Sequence, residues 1–289
     1  MKYHIIANPV AGKKKALKRL EIVESVFKSE KVPFETHLSS GEHDATEIAK
    51  QLTSAGETQI IALGGDGTLH EVLNGIENPE NCCLGCIPSG TGNDFAQKAG
   101  LPSDPEKAAR LILSSSAKPT NYLTVGGVRC MNVAGIGVDV DVLERCKRGK
   151  LKGKIKYLIC LVQSLFTFKG CEVRLQAEGI DETRKVLIAA ACNGAYFGGG
   201  IQICPAAQID DDYIDAIVVD CIGGKWKILK AFFVLMKGKV LEYPLTKHFK
   251  CESVTFTPTS ACPVQLDGEL YKDMAFQVQL KKGLKFYRP

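Results

Sequence analysis

Three glycine-rich turns each stand where a strand-like apolar run ends and a helix-like segment begins. They are Asn8 to Gly12, Gly64 to Thr68 and Gly90 to Asp94. Glycine lets the backbone approach a ligand closely, and the first turn of a helix offers unpaired N–H groups at its positive end. Because α/β sheets bind ligands at the carboxyl edge of their strands, the three turns together predict a phosphate site.

Asp66 lies inside the second turn, where a carboxylate would repel bound phosphates. A divalent cation between the two removes that repulsion, so Asp66 indicates Mg²⁺ as a companion of the phosphates. The chain lacks G-x-x-x-x-G-K-[ST], and Gly64 to Thr68 does not fit G-x-G-x-x-G, which excludes a P-loop and a dinucleotide fingerprint. Ordinary strand-to-helix turns, with Thr68 as the N-cap of the helix, stay open as the alternative.

The first third of the chain alternates strand-like and helix-like segments. The strand-like runs are Tyr3 to Ala7, Val32 to His37, Gln59 to Leu63 and Cys83 to Ile87. Between them, apolar residues recur at i, i+3, i+4 and i+7, the pattern of a helix with one buried face. The alternation predicts a Rossmann-like α/β domain with a parallel sheet, whose strand ends would hold the three turns.

Period-two alternation replaces this pattern after Pro119, as in Cys171 to Ala177. It predicts a mainly β second domain, interrupted by helical segments near Lys154 to Phe168 and Lys225 to Met236. We place the two domains at residues 1–121 and 122–277, which makes the chain α+β overall.

Composition narrows the class of protein. The chain has 289 residues with 37 Lys and Arg against 32 Asp and Glu, a mild net charge of +5 that argues against a dedicated nucleic-acid binder. Apolar stretches such as Tyr157 to Val162 are too short to span a bilayer, and the opening residues do not resemble a signal peptide, so a cytoplasmic location is expected. The twelve cysteines are expected to be reduced, and the C-x-x-C at Cys83 has no second pair at zinc-site spacing.

Five motifs together resemble the bacterial diacylglycerol kinase family, which is similar to sphingosine and ceramide kinases. They are Asn8-Pro9-x-x-Gly12, Gly64-Gly65-Asp66-Gly67-Thr68, Gly90 to Ala96, Gly198-Gly199-Gly200 and Asp267-Gly268-Glu269. GGDGT alone also occurs in NAD kinases and resembles the phosphofructokinase motif, whereas GTGNDFA with the later DGE is more specific to lipid kinases. The resemblance spans nearly the whole chain. It implies a phosphofructokinase-type ATP site on the α/β domain, a β-sandwich second domain, and a final strand, about 278–289, that returns to the first domain.

The same resemblance implies which residues act. Glu269 would be the general base, and Asp66 would act through Mg²⁺. The residues expected to bind ATP are Asn8, Lys13, Arg19, Ser39, Gly64, Gly65, Asp66, Gly67, Thr68, Leu69, His70, Thr91 and Asn93. A structural Mg²⁺ would be held by Gln208, Asp211 and Tyr213.

Two positions depart from the family pattern. Asp212 stands where relatives usually have Gly, and Asn121 stands where they commonly carry an Asp of the catalytic network. The acidic segment around Asp211 could also be an exposed turn without a metal ion.

The implied activity is transfer of the γ-phosphate of ATP to a lipid hydroxyl, with diacylglycerol the nearest family substrate. The alternatives are an NAD kinase-like phosphotransferase and a catalytically silent nucleotide or lipid binding protein. The lipid would be reached transiently at the inner face of the membrane, through the cation and aromatic residues of Lys225 to Phe233 and the basic run Lys147 to Lys156. A helix that buries its apolar face in its own core is the alternative for the first segment. Homodimer formation stays open.

Overall fold

The computed structural model describes residues 1–148, 154–221, 223 and 225–289, without the side chains of Lys13, Lys14, Lys154 and 225–228. The chain divides into two compact units. Unit 1 consists of Met1–Asn121 and Lys282–Pro289, and unit 2 is Tyr122–Lys281.

Unit 1 alternates strands with helices. Its elements are β1 Tyr3–Ala7, α1 Ala11–Lys14, α2 Ala16–Ser29, β2 Phe34–Leu38, α3 Asp44–Ser54, β3 Gln59–Gly64, α4 Asp66–Gly75, a 3-10 helix Pro79–Asn81, β4 Cys83–Pro88, α5 Asp94–Lys98 and α6 Pro105–Ser114. Strand β1 pairs in parallel with β2 and β3, and β3 pairs in parallel with β4. The strand order β2-β1-β3-β4 therefore brings four carboxyl ends to one edge of the sheet.

Helices cover the parallel sheet, and the burial of its strands reflects this. Every residue of β3 is buried, as expected of a strand covered by helices on both faces. On one face, α6 packs Ala109 and Ile112 into a cluster with Ile61 of β3. Helix α6 begins with Pro105, and the Asp104 side chain accepts a hydrogen bond from Lys107 N, so both start signals lie in the sequence.

Unit 2 is built mainly of antiparallel strands. Its elements are β5 Lys118–Val125, β6 Val128–Cys130, β7 Val133–Gly137, α7 Val138–Arg148, α8 Lys154–Thr167, β8 Cys171–Ala177, β9 Ile180–Cys192, β10 Tyr196–Phe197, β11 Ile201–Gln202, β12 Ile214–Asp220, α9 Lys225–Met236, a 3-10 helix Val240–Glu242, β13 Thr246–Cys251, β14 Ser253–Pro258, β15 Val264–Leu266, β16 Glu269–Tyr271 and β17 Gln277–Phe286. The long strand β9 pairs with β7, β8 and β12, all antiparallel.

Two strands have residues in both units. Strand β5 begins in unit 1 and ends in unit 2, and β17 begins in unit 2 and ends in unit 1. Within unit 1 the end of β17 pairs in parallel with β4, Lys285 opposite Cys83 and Phe286 opposite Leu84. Phe286 is fully buried there and lies edge-on to Phe95.

The predicted fold class is confirmed: an α/β first domain and a mainly β second domain make the chain α+β overall. Helix α7 and strand β13 were not predicted. The first turn of α7 contains Asp139 and Asp141, which interrupt its apolar periodicity, and β13 is intermediate in burial along most of its length. Neither segment therefore has a clear hydrophobic period.

Among the described residues, no helix is both long and apolar enough to cross a lipid bilayer.

Candidate active-site residues

The loops that follow β1, β2, β3 and β4 are aligned by backbone hydrogen bonds at the carboxyl edge of the sheet. Asn8 N donates to Leu63 O at 3.1 Å, and Ser39 N donates to Ala7 O at 2.9 Å. Ser89 N donates to Gly64 O at 2.6 Å. The sheet thus places the predicted residues Asn8, Ser39 and Gly64 on neighbouring strand ends.

Four glycines at this edge have neighbours too close for a Cβ atom, and we call Gly12, Gly64, Gly65 and Gly90 the glycine edge. A Cβ atom on Gly90 would lie 2.4 Å from Gly65 Cα, and one on Gly12 would lie 2.2 Å from Ser89 O. A Cβ atom on Gly64 would lie 2.3 Å from the Thr68 hydroxyl. These contacts leave no room for a larger residue, so the loops can stack only because the side chains are absent.

Helix α4 begins at Asp66, and Gly65 is its N-cap. The alternative in which Thr68 caps the helix is wrong for this reason. Glycine has no side chain that could accept hydrogen bonds from the first-turn N–H groups, so the start of α4 can offer those groups and its positive dipole to an anion.

The residues around the start of α4 are either partly exposed or buried. Gly65, Asp66 and Gly67 are partly exposed, whereas Leu69 and His70 are buried. Asp66 Oδ1 accepts a hydrogen bond from Phe95 N at 3.3 Å, which connects the second glycine-rich turn to the start of α5. Leu69 and His70 would therefore reach a nucleotide only through their backbone.

The third turn is stabilised by its own asparagine. Asn93 has φ +57°, its side-chain oxygen accepts from Gly90 N at 2.8 Å, and its side-chain nitrogen donates to Gly90 O at 3.1 Å. Asparagine tolerates this left-handed conformation better than most residues. Thr91 is exposed at the tip of the turn, whereas the Asn93 side chain is bound inside it.

Basic residues near the first turn are only partly described. The Arg19 guanidinium donates a hydrogen bond to the Ser103 carbonyl, in the loop before α6. The Lys13 side chain lies outside the described residues. Contact of either residue with phosphate groups stays a prediction.

Glu269 is the first residue of β16, in the hairpin formed by β15 and β16, which we call the Asp267 hairpin. The turn residues Asp267 and Gly268 have φ +53° and +93°, as a two-residue hairpin turn of type I′ requires. The Glu269 side chain is 45% exposed, and its carboxylate lies 3.8 Å from Lys147 Nζ. A carboxylate so exposed is accessible to a substrate hydroxyl.

The Asp267 carboxylate fixes this hairpin to the segment between β6 and β7. Its two oxygens accept hydrogen bonds from Met131 N and Asn132 N, both at 2.8 Å, and from the Cys130 thiol at 3.1 Å. Asn193 Nδ2 donates to Met131 O at 2.6 Å, so the same segment is also bound from the end of β9. The sequence does not indicate this network, because its members are far apart in the chain.

The predicted structural metal residues surround an ion pair. Lys250 Nζ lies 2.6 Å from Asp211 Oδ2, and Tyr213 N donates to Asp211 Oδ1 at 3.2 Å. Gln208 is exposed. The carboxylate already faces a cationic side chain, so the residues fit Mg²⁺ only if Lys250 moves away, and the metal role of Gln208, Asp211 and Tyr213 stays a prediction.

The two departures from the family pattern lie in different environments. Asn121 is buried in β5, whereas Asp212 is exposed. Among the described residues, five non-glycine positions have positive φ, and Asp212 is not one of them. The turn at Asp212 therefore needs no glycine.

Unit 2 contains an apolar cavity beneath α7, α8 and α9. Leu161 and Leu165 of α8 and Ala231 of α9 line it, together with Asp139 of α7. Asp139 is buried, and within the described chain neither of its oxygens has a hydrogen-bond partner of normal geometry. Burial raises the pKa of Asp139 to about 7, because the charged form is poorly solvated there.

Comparisons with known proteins agree with these two units. Residues 2–125 match the model of the diacylglycerol kinase catalytic domain, and residues 132–284 match the model of the YegS C-terminal NAD kinase beta sandwich-like domain.

Relatives match along nearly the whole chain. The diacylglycerol kinase of Staphylococcus carnosus (strain TM300) is 28% identical over 294 residues, covering 99% of this chain and 94% of that protein. The diacylglycerol kinase of Bacillus subtilis (strain 168) is 27% identical over 271 residues, covering 92% and 88%. The crystal structure of a diacylglycerol kinase from Bacillus anthracis str. Sterne superposes with a TM-score of 0.75 at 24% identity, covering 100% of this chain and 96% of that one.

Fold and matches together define a two-domain protein of the lipid kinase type. The chain belongs to the family of diacylglycerol kinases and YegS-like lipid kinases, as the motifs had predicted. The kinase family implies ATP as the cosubstrate and suggests a lipid as the acceptor.

Proposed function

We propose that this protein is an ATP- and Mg²⁺-dependent lipid kinase that phosphorylates the free hydroxyl of diacylglycerol. The observation that carries the proposal is the glycine edge, where Gly65 caps α4 without a side chain and Gly90 packs against it. Phosphates bound there would accept hydrogen bonds from first-turn N–H groups of α4, and Asn8, Ser39 and Thr91 stand on the neighbouring loops.

Asp66 would hold Mg²⁺ beside these phosphates, because its carboxylate is partly exposed and Phe95 N fixes one of its oxygens. When bound, Mg²⁺ neutralises charge that develops on the transferred phosphoryl group. The role of the chain's own residues is to orient the tripolyphosphate by backbone donors, which fix its position without a covalent step.

Glu269 would act as the general base. Its exposed carboxylate can accept the proton of the acceptor hydroxyl as the hydroxyl oxygen attacks the γ-phosphorus. ADP leaves, and the proton remains on the Glu269 carboxyl until solvent removes it. Asp267 is a positioning residue in this scheme, because it holds the hairpin through Met131 N and Asn132 N and does not itself reach the substrate.

The apolar cavity of unit 2 supports a lipid as the acceptor. Each methylene group that leaves water for such a cavity contributes about 0.8 kcal/mol, so even part of an acyl chain would be held firmly. Ala231→Leu should fill part of the space beside Leu161 and Leu165. We expect this variant to reduce turnover of long-chain diacylglycerol more than that of a short-chain form.

Exposed apolar side chains on α8 support contact with a membrane surface. Ile155, Leu158 and Ile159 are spaced as one helix face and are 74%, 39% and 42% exposed. On α9, Phe233 is 53% exposed, whereas Ala231 is buried. The side chains of 225–228 and residues 149–153 lie outside the described residues, so the basic parts of both predicted segments stay a prediction.

The decisive experiment is incubation of the protein with γ-labelled ATP, Mg²⁺ and diacylglycerol in mixed micelles. We expect labelled phosphatidic acid, and at least about 100-fold less of it with Glu269→Gln. Glu252→Gln, which alters another exposed glutamate of unit 2, should behave like the wild type. Label that enters other lipids but not diacylglycerol would correct the substrate, and label in no lipid would refute the proposal.

NAD phosphorylation is the second candidate function, because the matched model of residues 132–284 is described as NAD kinase beta sandwich-like. Product analysis with NAD as the acceptor in place of lipid separates the two. The apolar cavity favours the lipid, since a dinucleotide is polar and charged.

A further inference from the structure

Three side chains that the kinase reaction does not use meet in the interior of unit 2. Cys204, Asp215 and His248 offer ligand atoms that all lie within 4.8 Å of one another. Cys204 and Asp215 are completely buried, and His248 is partly buried. A thiol, a carboxylate and an imidazole in this combination are the side chains that zinc and related transition metals prefer.

The antiparallel strands bring these groups together from distant parts of the chain. Asp215 of β12 lies opposite Cys192 of β9 and opposite Lys250 of β13, two residues from His248. Cys204 follows β11. The Cys192 thiol lies near the Cys204 sulfur, so a second sulfur borders the cluster.

One atom of the cluster is buried without a partner. Asp215 Oδ1 lies 2.6 Å from His248 Nε2, but Asp215 Oδ2 has no hydrogen-bond partner among the described residues. A buried carboxylate oxygen left unsatisfied is unfavourable, so a bound cation would remove a defect that the fold otherwise carries.

We propose that Cys204, Asp215 and His248 bind one zinc-class transition-metal ion, with a water molecule in the fourth position. The ion would tie β12 and β13 to the segment that follows β11. Sulfur and nitrogen ligands favour Zn²⁺ over Mg²⁺.

This site is separate from the predicted Mg²⁺ residues. Asp211 and Tyr213 offer only oxygen atoms and face Lys250, whereas the cluster around Asp215 contains sulfur. It does not depend on the kinase function, because none of its residues has a role in phosphoryl transfer.

Co²⁺ titration of the chelator-treated, full-length protein tests the proposal. We expect visible bands of a tetrahedral Co²⁺ site and a near-ultraviolet thiolate-to-cobalt charge-transfer band, both saturating near one equivalent and both abolished by Zn²⁺. Cys204→Ser should lose the charge-transfer intensity. Cys251→Ser changes another buried cysteine, on β13 outside the cluster, and should retain the full spectrum. Zn²⁺ should raise the melting temperature of the wild type and Cys251→Ser, and much less that of Cys204→Ser.

Three results would overturn the proposal. One is a Co²⁺ spectrum without a charge-transfer band, which would point to the sulfur-free cluster of His4, Glu35 and His37. Another is equal loss of metal in Cys204→Ser and Cys251→Ser. The third is a protein that binds no metal and has two fewer free thiols than its twelve cysteines provide. This result would indicate a Cys192–Cys204 disulfide. If Cys204→Ser does not fold, His248→Gln serves instead, and it should weaken Co²⁺ binding at least about tenfold.

Discussion

The glycine edge of unit 1 and the Asp267 hairpin of unit 2 hold their functional groups in place by different means. At the glycine edge, main-chain atoms define the site, and the loops can pack closely because the glycines have no side chains. In the Asp267 hairpin, one carboxylate with three donors fixes the position of the candidate base two residues away. A site built from main-chain atoms is therefore disrupted by added side-chain atoms, whereas a site positioned by one carboxylate is disrupted by the loss of its hydrogen bonds.

Changing Glu269 should have the largest effect, because it removes the base and leaves the hairpin intact. We expect Glu269→Gln to lower kcat by about 10²–10⁴-fold, with little change in the affinity for ATP or in the melting temperature. Kinetics, calorimetry with ATP and thermal unfolding provide the three readouts. An active Glu269→Gln enzyme would remove this residue from the role of base.

Asp267→Asn should separate positioning from catalysis. Asparagine tolerates the φ of +53° but loses the charge and one acceptor, so we expect a destabilisation of about 1.5–3 kcal/mol together with reduced activity. Urea unfolding monitored beside kinase kinetics checks both effects. Wild-type stability in this variant would show that the network around Met131 does not hold the hairpin.

Gly90→Ala tests the backbone site. Its Cβ would lie 2.4 Å from Gly65 Cα, so the two loops must separate, and we expect ATP binding to weaken by about 1–3 kcal/mol. Gly41→Ala is the matched control, since a Cβ atom at Gly41 meets nothing within 4 Å. Similar ATP affinity in the two variants would contradict close packing of the glycine edge.

Asp139→Asn should have the smallest effect on activity, and should change mainly how the free energy of unfolding depends on pH. The folded protein holds this proton up to a pH of about 7, whereas the unfolded chain releases it near the ordinary carboxyl pKa, so the wild type loses stability as pH rises through that window. Asp139→Asn lacks this loss, and its advantage should grow by roughly 1.4 kcal/mol per pH unit until it levels off above pH 7. Parallel unfolding curves at all pH values would show that Asp139 is ionised in the fold.

The hydrophobic patterns of single segments predicted most strands and helices, because each of these elements buries one face or both. The predicted bounds of Tyr3–Ala7 and Cys171–Ala177 are those of β1 and β8, where continuous burial or strict alternation gives a clear period. Glycine-rich turns were visible for the same reason. Helix α7 was not predicted, because Asp139 and Asp141 in its first turn interrupt the apolar period.

Long-range contacts could not be predicted from one sequence. The Asp267 carboxylate binds the backbone of Met131 and Asn132, more than 130 positions earlier, and nothing local to any of these residues indicates the partner. No local pattern indicates that Cys204, Asp215 and His248 meet either. A zinc site can be predicted from sequence only where its ligands come in pairs at short spacing, and these three residues do not. Pairing of antiparallel strands, not sequence proximity, determines such sites.

The course of β17 has a consequence for biosynthesis. Phe286 and Tyr287 fill the interior of unit 1, and the Tyr287 hydroxyl donates to the Gln59 side chain at 2.6 Å. Translation reaches these residues only after the whole of unit 2, so unit 1 cannot finish folding until residues 282–289 have been made. Nascent chains stalled before residue 282 should therefore remain sensitive to protease in their amino-terminal part.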